Sequence, residues 1–400
     1  MVLFHGDVMV KAALVVDRRF YKQSDCVYSE GPVGPETGGR YLRWFDEVVV
    51  LGRCLESDLV DINKLNLVSE NGLKFEFLPN ISGVKERISN IEAARKKISE
   101  IIDSCDCVIC RLPTELGLEA AKIASRKNKC YVLEIGGCIY DGYRTHGSLK
   151  GIFYAPFAYM NMRKIVSSSK WVSYVTQEFL QKRYPANRFA TTLSAPNVNL
   201  PFISKDVLNK KLETTKNNEC LTFGTIGSLV GGFKGIDVAI KALKLASPHI
   251  PKFRYRILGG GDGNNLKQLA IKNNLESSIE FDGTLPAGDP VFEWLGGIDI
   301  YLQPSRREGV PRALIEAMSQ ACPVLASNVA GIPELLDTRY LHNPGDYKKL
   351  AQQIVEITKN ENRLRCASRN WIKAHDYLLM SLEAKRDFFW CGVRDFVLLK

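Results

Sequence analysis

Pro304-Ser305-Arg306-Arg307-Glu308-Gly309-Val310-Pro311-Arg312-Ala313-Leu314-Ile315-Glu316-Ala317-Met318 carries two carboxylates with seven residues between them. The run Ile298-Asp299-Ile300-Tyr301-Leu302 just before it is strand-like. Gly309 marks a turn, and Pro311 suits the first position of a helix, where a missing N–H costs nothing. A strand, a tight turn and a helix N-terminus therefore follow in order, with Glu308 in the turn and Glu316 on the helix. A helix N-terminus attracts phosphate through its free N–H groups and its dipole. An acid beside it accepts hydrogen bonds from sugar hydroxyls. Together they read as a site for a sugar carried on a nucleoside diphosphate.

The same alternation extends outward in both directions. In the first half, strand-like runs fall at residues 12–17, 47–52, 74–78, 107–112, 131–135 and 171–175, with amphipathic helices at 84–105 and 114–127. The second half repeats the pattern, with strands at 221–229, 253–258, 279–281, 298–302 and 324–327. Strands alternating with helices predict parallel sheets covered by helices, an α/β fold. Four hundred residues suit two such domains. The break falls at Ser194-Ala195-Pro196-Asn197-Val198-Asn199-Leu200-Pro201. The expected division is 1–195, a polar linker over 196–220, a second domain over 221–375, and a closing helical segment over 376–400.

Composition is that of an ordinary globular chain, with a net charge of +10 shared evenly by the two halves. A basic surface suits an anionic nucleotide or an anionic lipid surface. No zinc finger or RNP-type motif supports nucleic acid as a partner. The eleven cysteines are scattered, and Cys105-Asp106-Cys107-Val108-Ile109-Cys110 lies on an apolar strand. They are expected as reduced core thiols of a cytoplasmic protein rather than a metal or disulfide framework. No apolar run reaches about 18 residues, so no membrane-spanning helix is expected. Residues 1–8 do not fit the first strand, and Met9 is a second candidate start.

The quoted stretch, followed by Cys322-Pro323-Val324-Leu325-Ala326-Ser327 and Gly331-Ile332-Pro333-Glu334, resembles the retaining GT-B glycosyltransferases of the family 4 type. Their pattern is a Pro-Ser, an E-x7-E pair, Glu-Ala-Met, a Pro-Val and a Gly-x-Pro-Glu. The resemblance implies two Rossmann-like domains facing across a cleft, with the last helix crossing back to the first domain. It implies a retaining hexosyltransferase using a nucleotide-diphosphate sugar, with no metal or other cofactor. In that reading Glu308 binds sugar hydroxyls and supports charge at the anomeric carbon, and Glu316 holds the ribose. Gly309 and Val310 offer backbone N–H groups to the donor. The run Val175-Thr176-Gln177-Glu178-Phe179-Leu180-Gln181-Lys182-Arg183-Tyr184-Pro185 resembles transferases that build capsular or lipopolysaccharide sugars. That implies a saccharide or lipid-linked saccharide acceptor at the inner membrane face.

Other site residues carry over from the same resemblance. Gly227 and Ser228 open a glycine-rich loop that reaches Lys234-Gly235. Lys234 is the expected clamp on the leaving phosphate, while Ser228 stands where the family often has arginine. Arg306 or Arg307 is available to compensate. Thr284 and Leu285 border the nucleotide base. His146, in Asp141-Gly142-Tyr143-Arg144-Thr145-His146-Gly147, is expected to orient the sugar from the first domain, with Asp141 a weaker neighbour. Residues 29–40, rich in glycine and proline, read as a functional loop. The aromatic run 151–160, flanked by Lys150, Arg163 and Lys164, reads either as a core helix or as a helix lying on an anionic bilayer. A GT-B epimerase and a non-catalytic sugar-binding subunit are the alternative functions, the latter suggested by Ser228.

Overall fold

Ala12, Ala13, Leu14, Val15 and Val16 are all buried. A strand hides both of its faces only inside a sheet covered on two sides. The computed structural model, which describes residues 8–29, 36–55, 65–81, 84–145, 148–200, 204–216 and 220–400, places this run at the centre of the first domain. The chain begins with β1 (Lys11–Gln23), β2 (Cys26–Ser29), α1 (Glu36–Gly39), β3 (Glu47–Leu55), β4 (Asn66–Leu67) and β5 (Leu73–Leu78). It continues with α2 (Val84–Asp103), β6 (Cys107–Leu112), α3 (Glu115–Arg126), β7 (Cys130–Ile135), α4 (Ile139–Arg144) and α5 (Leu149–Ser168). β8 (Trp171–Tyr174), α6 (Phe179–Arg183) and β9 (Thr191–Ser194) complete the domain. Its parallel core runs β5-β3-β1-β6-β7-β8-β9. β1 is longer than the sequence pattern predicts. After an irregularity its far end stays paired with β3 and also pairs antiparallel with β2, which in turn pairs with β4.

The second domain comprises α7 (Lys205–Lys216), β10 (Cys220–Ile226), α8 (Ile236–Ala246), β11 (Lys252–Leu258), α9 (Asn264–Lys272), β12 (Ile279–Gly283) and α10 (Asp289–Gly296). β13 (Ile300–Gln303), α11 (Arg312–Ser319), β14 (Val324–Ser327), β15 (Leu341–His342), α12 (Tyr347–Ile357) and α13 (Asn360–Ala374) follow, and α14 (Leu379–Leu398) closes the chain. Its sheet is parallel throughout, in the order β12-β11-β10-β13-β14-β15. In both sheets the strand order reverses beside the first strand, between β1 and β6 and between β10 and β13. Ligands of doubly wound sheets bind beyond the strand ends at such switch points.

The stretch 196–220 is not simply a polar connector, because α7 occupies much of it. Leu208 and Leu212 pack near Ala321, Ala367 and Trp371. The buried ammonium of Lys211 donates to the carbonyls of Gly296 (3.0 Å) and Ile298 (2.6 Å). A lysine-rich segment thus folds by burying one narrow apolar edge and satisfying its one buried charge on backbone. The two chain crossings between domains lie side by side, with Leu379 N donating to Leu200 O at 3.0 Å.

α14 returns to the first domain, as the resemblance implies. Trp390 stacks on Trp44 at 5.8 Å and meets Tyr41 and Phe45 edge-on, while Phe389 meets Trp171. The neighbouring Phe388 is not core, being 81% exposed, because a helix turns adjacent residues about 100° apart. The cysteines are all free. Seven are buried as expected, but Cys54, Cys220 and Cys391 are exposed and Cys26 is half-buried. Trp390→Ala is expected to cost the first domain about 3–5 kcal/mol in denaturant unfolding, the usual loss for a buried aromatic. Phe388→Ala is expected to stay within about 0.5 kcal/mol.

Candidate functional site

The site forms where the loop after β10 meets the exit of β13. Gly235 has φ +69°, and a Cβ there would lie 1.9 Å from the Pro304 carbonyl oxygen. Only glycine permits that left-handed turn and that approach. The interlock sets Lys234 against the Glu308 turn, with Nζ 2.7 Å from Oε1. The two side chains are only 19% and 10% exposed.

Glu308 Oε1 accepts two further hydrogen bonds, from Gln303 Nε2 (3.0 Å) and Ser305 Oγ (2.7 Å). Gln303 is held in turn: its Nε2 also donates to Ser305 Oγ, and its Oε1 accepts from the buried Tyr301 hydroxyl at 2.9 Å. Tyr301 Oη accepts from the Ile226 N–H of β10 at 3.2 Å. A chain of hydrogen bonds therefore runs from one side of the switch point to the acid on the other. Burial pushes the Tyr301 phenol well above its ordinary value, and Glu316 and Glu308 add to that effect. Tyr301 thus remains a neutral donor. Gln303 and Tyr301 were not singled out by the sequence pattern. Strand residues before a turn carry no motif, although Ser305 stood within the Pro-Ser pair.

Glu316 sits on the first turns of α11, half-buried, with no hydrogen bond to its side chain among the described residues. Burial pushes its pKa above the ordinary carboxylate value, and Arg312 opposes this incompletely. Pro311 is the residue before the helix rather than its first helical residue. Gly309 and Val310 form the turn between the acids, as expected. Ser228 is exposed, and its hydroxyl accepts locally from Val230 N–H at 3.2 Å. Arg306 is committed elsewhere. Its guanidinium grips Asp237 of α8 at 2.8 and 2.7 Å and bonds the Gly232 carbonyl, so it fixes the loop rather than facing the cleft. Arg307 is the better-placed cation, lying 5.0 Å from the Phe233 ring centroid and donating to the Gly142 carbonyl at 3.1 Å. Thr284 and Leu285 are exposed just past β12, two strands from Lys234. His146 and residues 30–35 of the glycine-proline loop lie outside the described residues.

The two domains face each other across a cavity of about 230 Å³. Glu308, Gly309, Arg307 and Phe233 line it from one side, and Gly136, Gly137, Asp141 and Gly142 from the other. A Cβ on Gly309 would stand 2.3 Å from the Gly136 carbonyl oxygen, so the walls nearly touch there. Asp141 pairs with Arg183 at 3.0 Å. Nearby, Glu334 of the Gly-x-Pro-Glu run accepts from the backbone N–H groups of Gln177 (2.6 Å), Glu178 (3.1 Å) and Phe179 (2.7 Å). The run 175–185, read from sequence only as a family likeness, is thus the place where the second domain grips the first.

Residues 220–360 match the family model of glycosyl transferases group 1. The chain is 29% identical over 370 residues to Protein CapJ of Staphylococcus aureus, covering 92% of this chain and 91% of that one. It is 35% identical over 136 residues to the putative colanic acid biosynthesis glycosyltransferase WcaL of Escherichia coli, about a third of each chain. Anabaena Alr3699/HepE, solved in complex with UDP, superposes with a TM-score of 0.65 at 16% identity, covering 96% of this chain and all of that one. The fold, the paired acids and the family match converge: the chain has the GT-B fold, and its residues 220–360 match the glycosyl transferases group 1 family.

Proposed function

We propose that the chain transfers a hexose, with retention of anomeric configuration, from a nucleoside-diphosphate sugar to a saccharide acceptor during polysaccharide synthesis. The observation that carries this reading is Glu308, held by Lys234, Gln303 and Ser305 at the switch point. The donor nucleotide lies on β10, β11 and α11, with Glu316 accepting from the ribose hydroxyls and Thr284 and Leu285 beside the base. Lys234, Arg307 and the backbone N–H groups of Gly309 and Val310 hold the diphosphate. This arrangement asks for no metal, because fixed cations and dipoles meet the charge as it develops on the leaving phosphate.

In the transfer step the bond from the anomeric carbon to the phosphate oxygen breaks. The acceptor oxygen bonds that carbon from the same face, and its proton passes to the departing phosphate. Glu308 binds the sugar hydroxyls through Oε2, which carries none of its three internal hydrogen bonds, and stabilises positive charge at the ring. His146 is proposed as the first domain's contact with the sugar. Domain closure excludes water and limits donor hydrolysis.

The reading includes a peripheral membrane contact for a lipid-linked acceptor. α5 buries Ala155, Ala158, Met162, Ile165 and Val166 but turns Leu149, Phe153, Phe157 and Met160 outward, between exposed Lys150, Arg163 and Lys164. An apolar stripe with a basic rim fits the headgroup region of an anionic bilayer. No described helix is long and apolar enough to cross a membrane.

Proton NMR of the product formed from a donor panel is expected to give the donor's own anomeric configuration. Inversion would remove the mechanism. Lys234→Ala is expected to lower kcat by about 10²–10³, the scale for losing one fixed charge-stabilising donor. Glu316→Ala is expected to weaken UDP binding at least tenfold, read by calorimetry.

Glu316 also predicts a trade between stability and binding. A carboxyl whose folded pKa is raised contributes its stability below its unfolded pKa, about 4.3, and loses it as pH rises through the folded value. At pH 7 the buried carboxylate is therefore a cost, and Glu316→Gln is expected to raise the melting temperature of the free protein by a few degrees. The gain should vanish below about pH 4, where both forms are neutral. An unchanged melting temperature at pH 7 would mean that the carboxylate is well solvated.

A further inference from the structure

A glutamine buried in the middle of a sheet costs free energy unless the polar atoms of its amide find partners. β13 carries one: Ile300, Tyr301, Leu302 and Gln303 are all buried, as is Ser305 just beyond the strand. Successive strand residues point to opposite faces, so Tyr301 and Gln303 share one side of the sheet and Ile300 and Leu302 the other. The amide of Gln303 is fully used. One N–H of Nε2 goes to Ser305 Oγ at 2.8 Å, the other to Glu308 Oε1 at 3.0 Å, and Oε1 accepts from Tyr301 Oη at 2.9 Å.

The chemistry of the two ends allows this chain only one direction. An ionised carboxylate can only accept, so Glu308 must face Nε2 of the amide and not its oxygen. Gln303 Oε1 then faces the phenol, which has one proton to give and receives the Ile226 N–H in turn at 3.2 Å. The Tyr301 phenol keeps that proton, since burial and the two glutamates oppose its loss. The donors on Glu308 Oε1 differ in how firmly they are aimed. Lys234 brings a rotatable ammonium and Ser305 a rotatable hydroxyl, and either can follow the carboxylate to its other oxygen. The Gln303 amide is planar, and its far end is locked to Tyr301 and through it to the backbone of β10.

We infer that Gln303 is a positioning residue for Glu308: the Ile226–Tyr301–Gln303 chain decides which carboxylate oxygen is held by the protein and which is presented to the sugar. The inference rests on the transferase reading for the word sugar. Tyr301 acts one step further back, by fixing which way round the amide sits. Ile226 ends β10 immediately before Gly227 and Ser228, so the chain also ties the acid to the base of the glycine-rich loop.

The test has a structural arm and a kinetic arm. In a crystal structure of ligand-free Gln303→Leu, the Glu308 carboxylate is expected in more than one orientation, against a single one in wild type. Turnover is read as release of nucleoside diphosphate from UDP-, ADP- and GDP-hexoses. Gln303→Leu is expected to lower kcat about tenfold or more with little change in KM, the scale for losing a hydrogen bond to a charged group. Tyr301→Phe is expected to lower it about fivefold, the scale for a neutral bond. Tyr255→Phe is the control. That buried phenol donates to Thr225 Oγ1 at 2.8 Å, whose own proton ends on the Leu302 carbonyl, so its chain does not reach Glu308. It is expected to lower the melting temperature yet leave kcat and the Glu308 orientation unchanged.

Gln303→Glu adds a pH signature that a purely structural role would not give. The introduced carboxyl can donate to Glu308 when protonated and repels it when ionised. Its turnover relative to wild type is therefore expected to be highest near about pH 5 and to fall as pH rises. Lys234, Arg307, Glu316 and Tyr301 also surround Glu308, but they are common to both proteins, so the ratio reports position 303. A single unchanged Glu308 orientation in Gln303→Leu, wild-type kcat in that variant, or an equal loss in Tyr255→Phe would overturn the assignment. No turnover of any donor by wild type, with the Glu308 orientation still lost in Gln303→Leu, would instead overturn the nucleotide-sugar reading and leave the orienting role standing.

Discussion

The carboxylate of Glu308 is the point on which the cleft turns. One of its oxygens accepts from an ammonium, an amide and a hydroxyl at once, from residues on both sides of the reversal in strand order. A buried acid is costly unless its charge is paired and its lone pairs are satisfied. Here both conditions are met at Oε1 alone. The arrangement is possible because Gly235 lets the Lys234 loop touch the Pro304 carbonyl. A side chain at 235 would separate the two loops and strand the acid. Under the proposed reading, catalytic geometry and local stability are the same set of contacts, and the acid is fixed by the protein alone.

What the sequence disclosed, and what it withheld, follows from range. The strand-turn-helix around Glu308 and Glu316 is local, and residue type with spacing reports it well. β6 and β14 begin and end where alternation and breakers place them. β1 runs on to Gln23 in a hairpin with β2, and that extension was hidden because its far end, Arg18-Arg19-Phe20-Tyr21-Lys22-Gln23, is too charged to read as a strand. α7 was hidden because its apolar edge is narrow and its lysines mimic a solvated connector. Arg306 and Arg307 illustrate the same limit within the site. They are neighbours in sequence with equal charge, yet one is clamped by Asp237 of α8 and the other reaches the opposite domain. Only tertiary partners distinguish them.

The coupling between domains also uses long-range contacts that no motif advertises. Glu334 takes three consecutive backbone N–H groups before and at the start of α6, the groups a helix start leaves without partners. Its role in the Gly-x-Pro-Glu run is therefore to hold one domain by the other. On the far side, Leu200 and Leu379 join the two crossings, and Arg386 bonds Pro196 beside them. The cleft is bounded by a charge-assisted cap at one place and by a paired hinge at another.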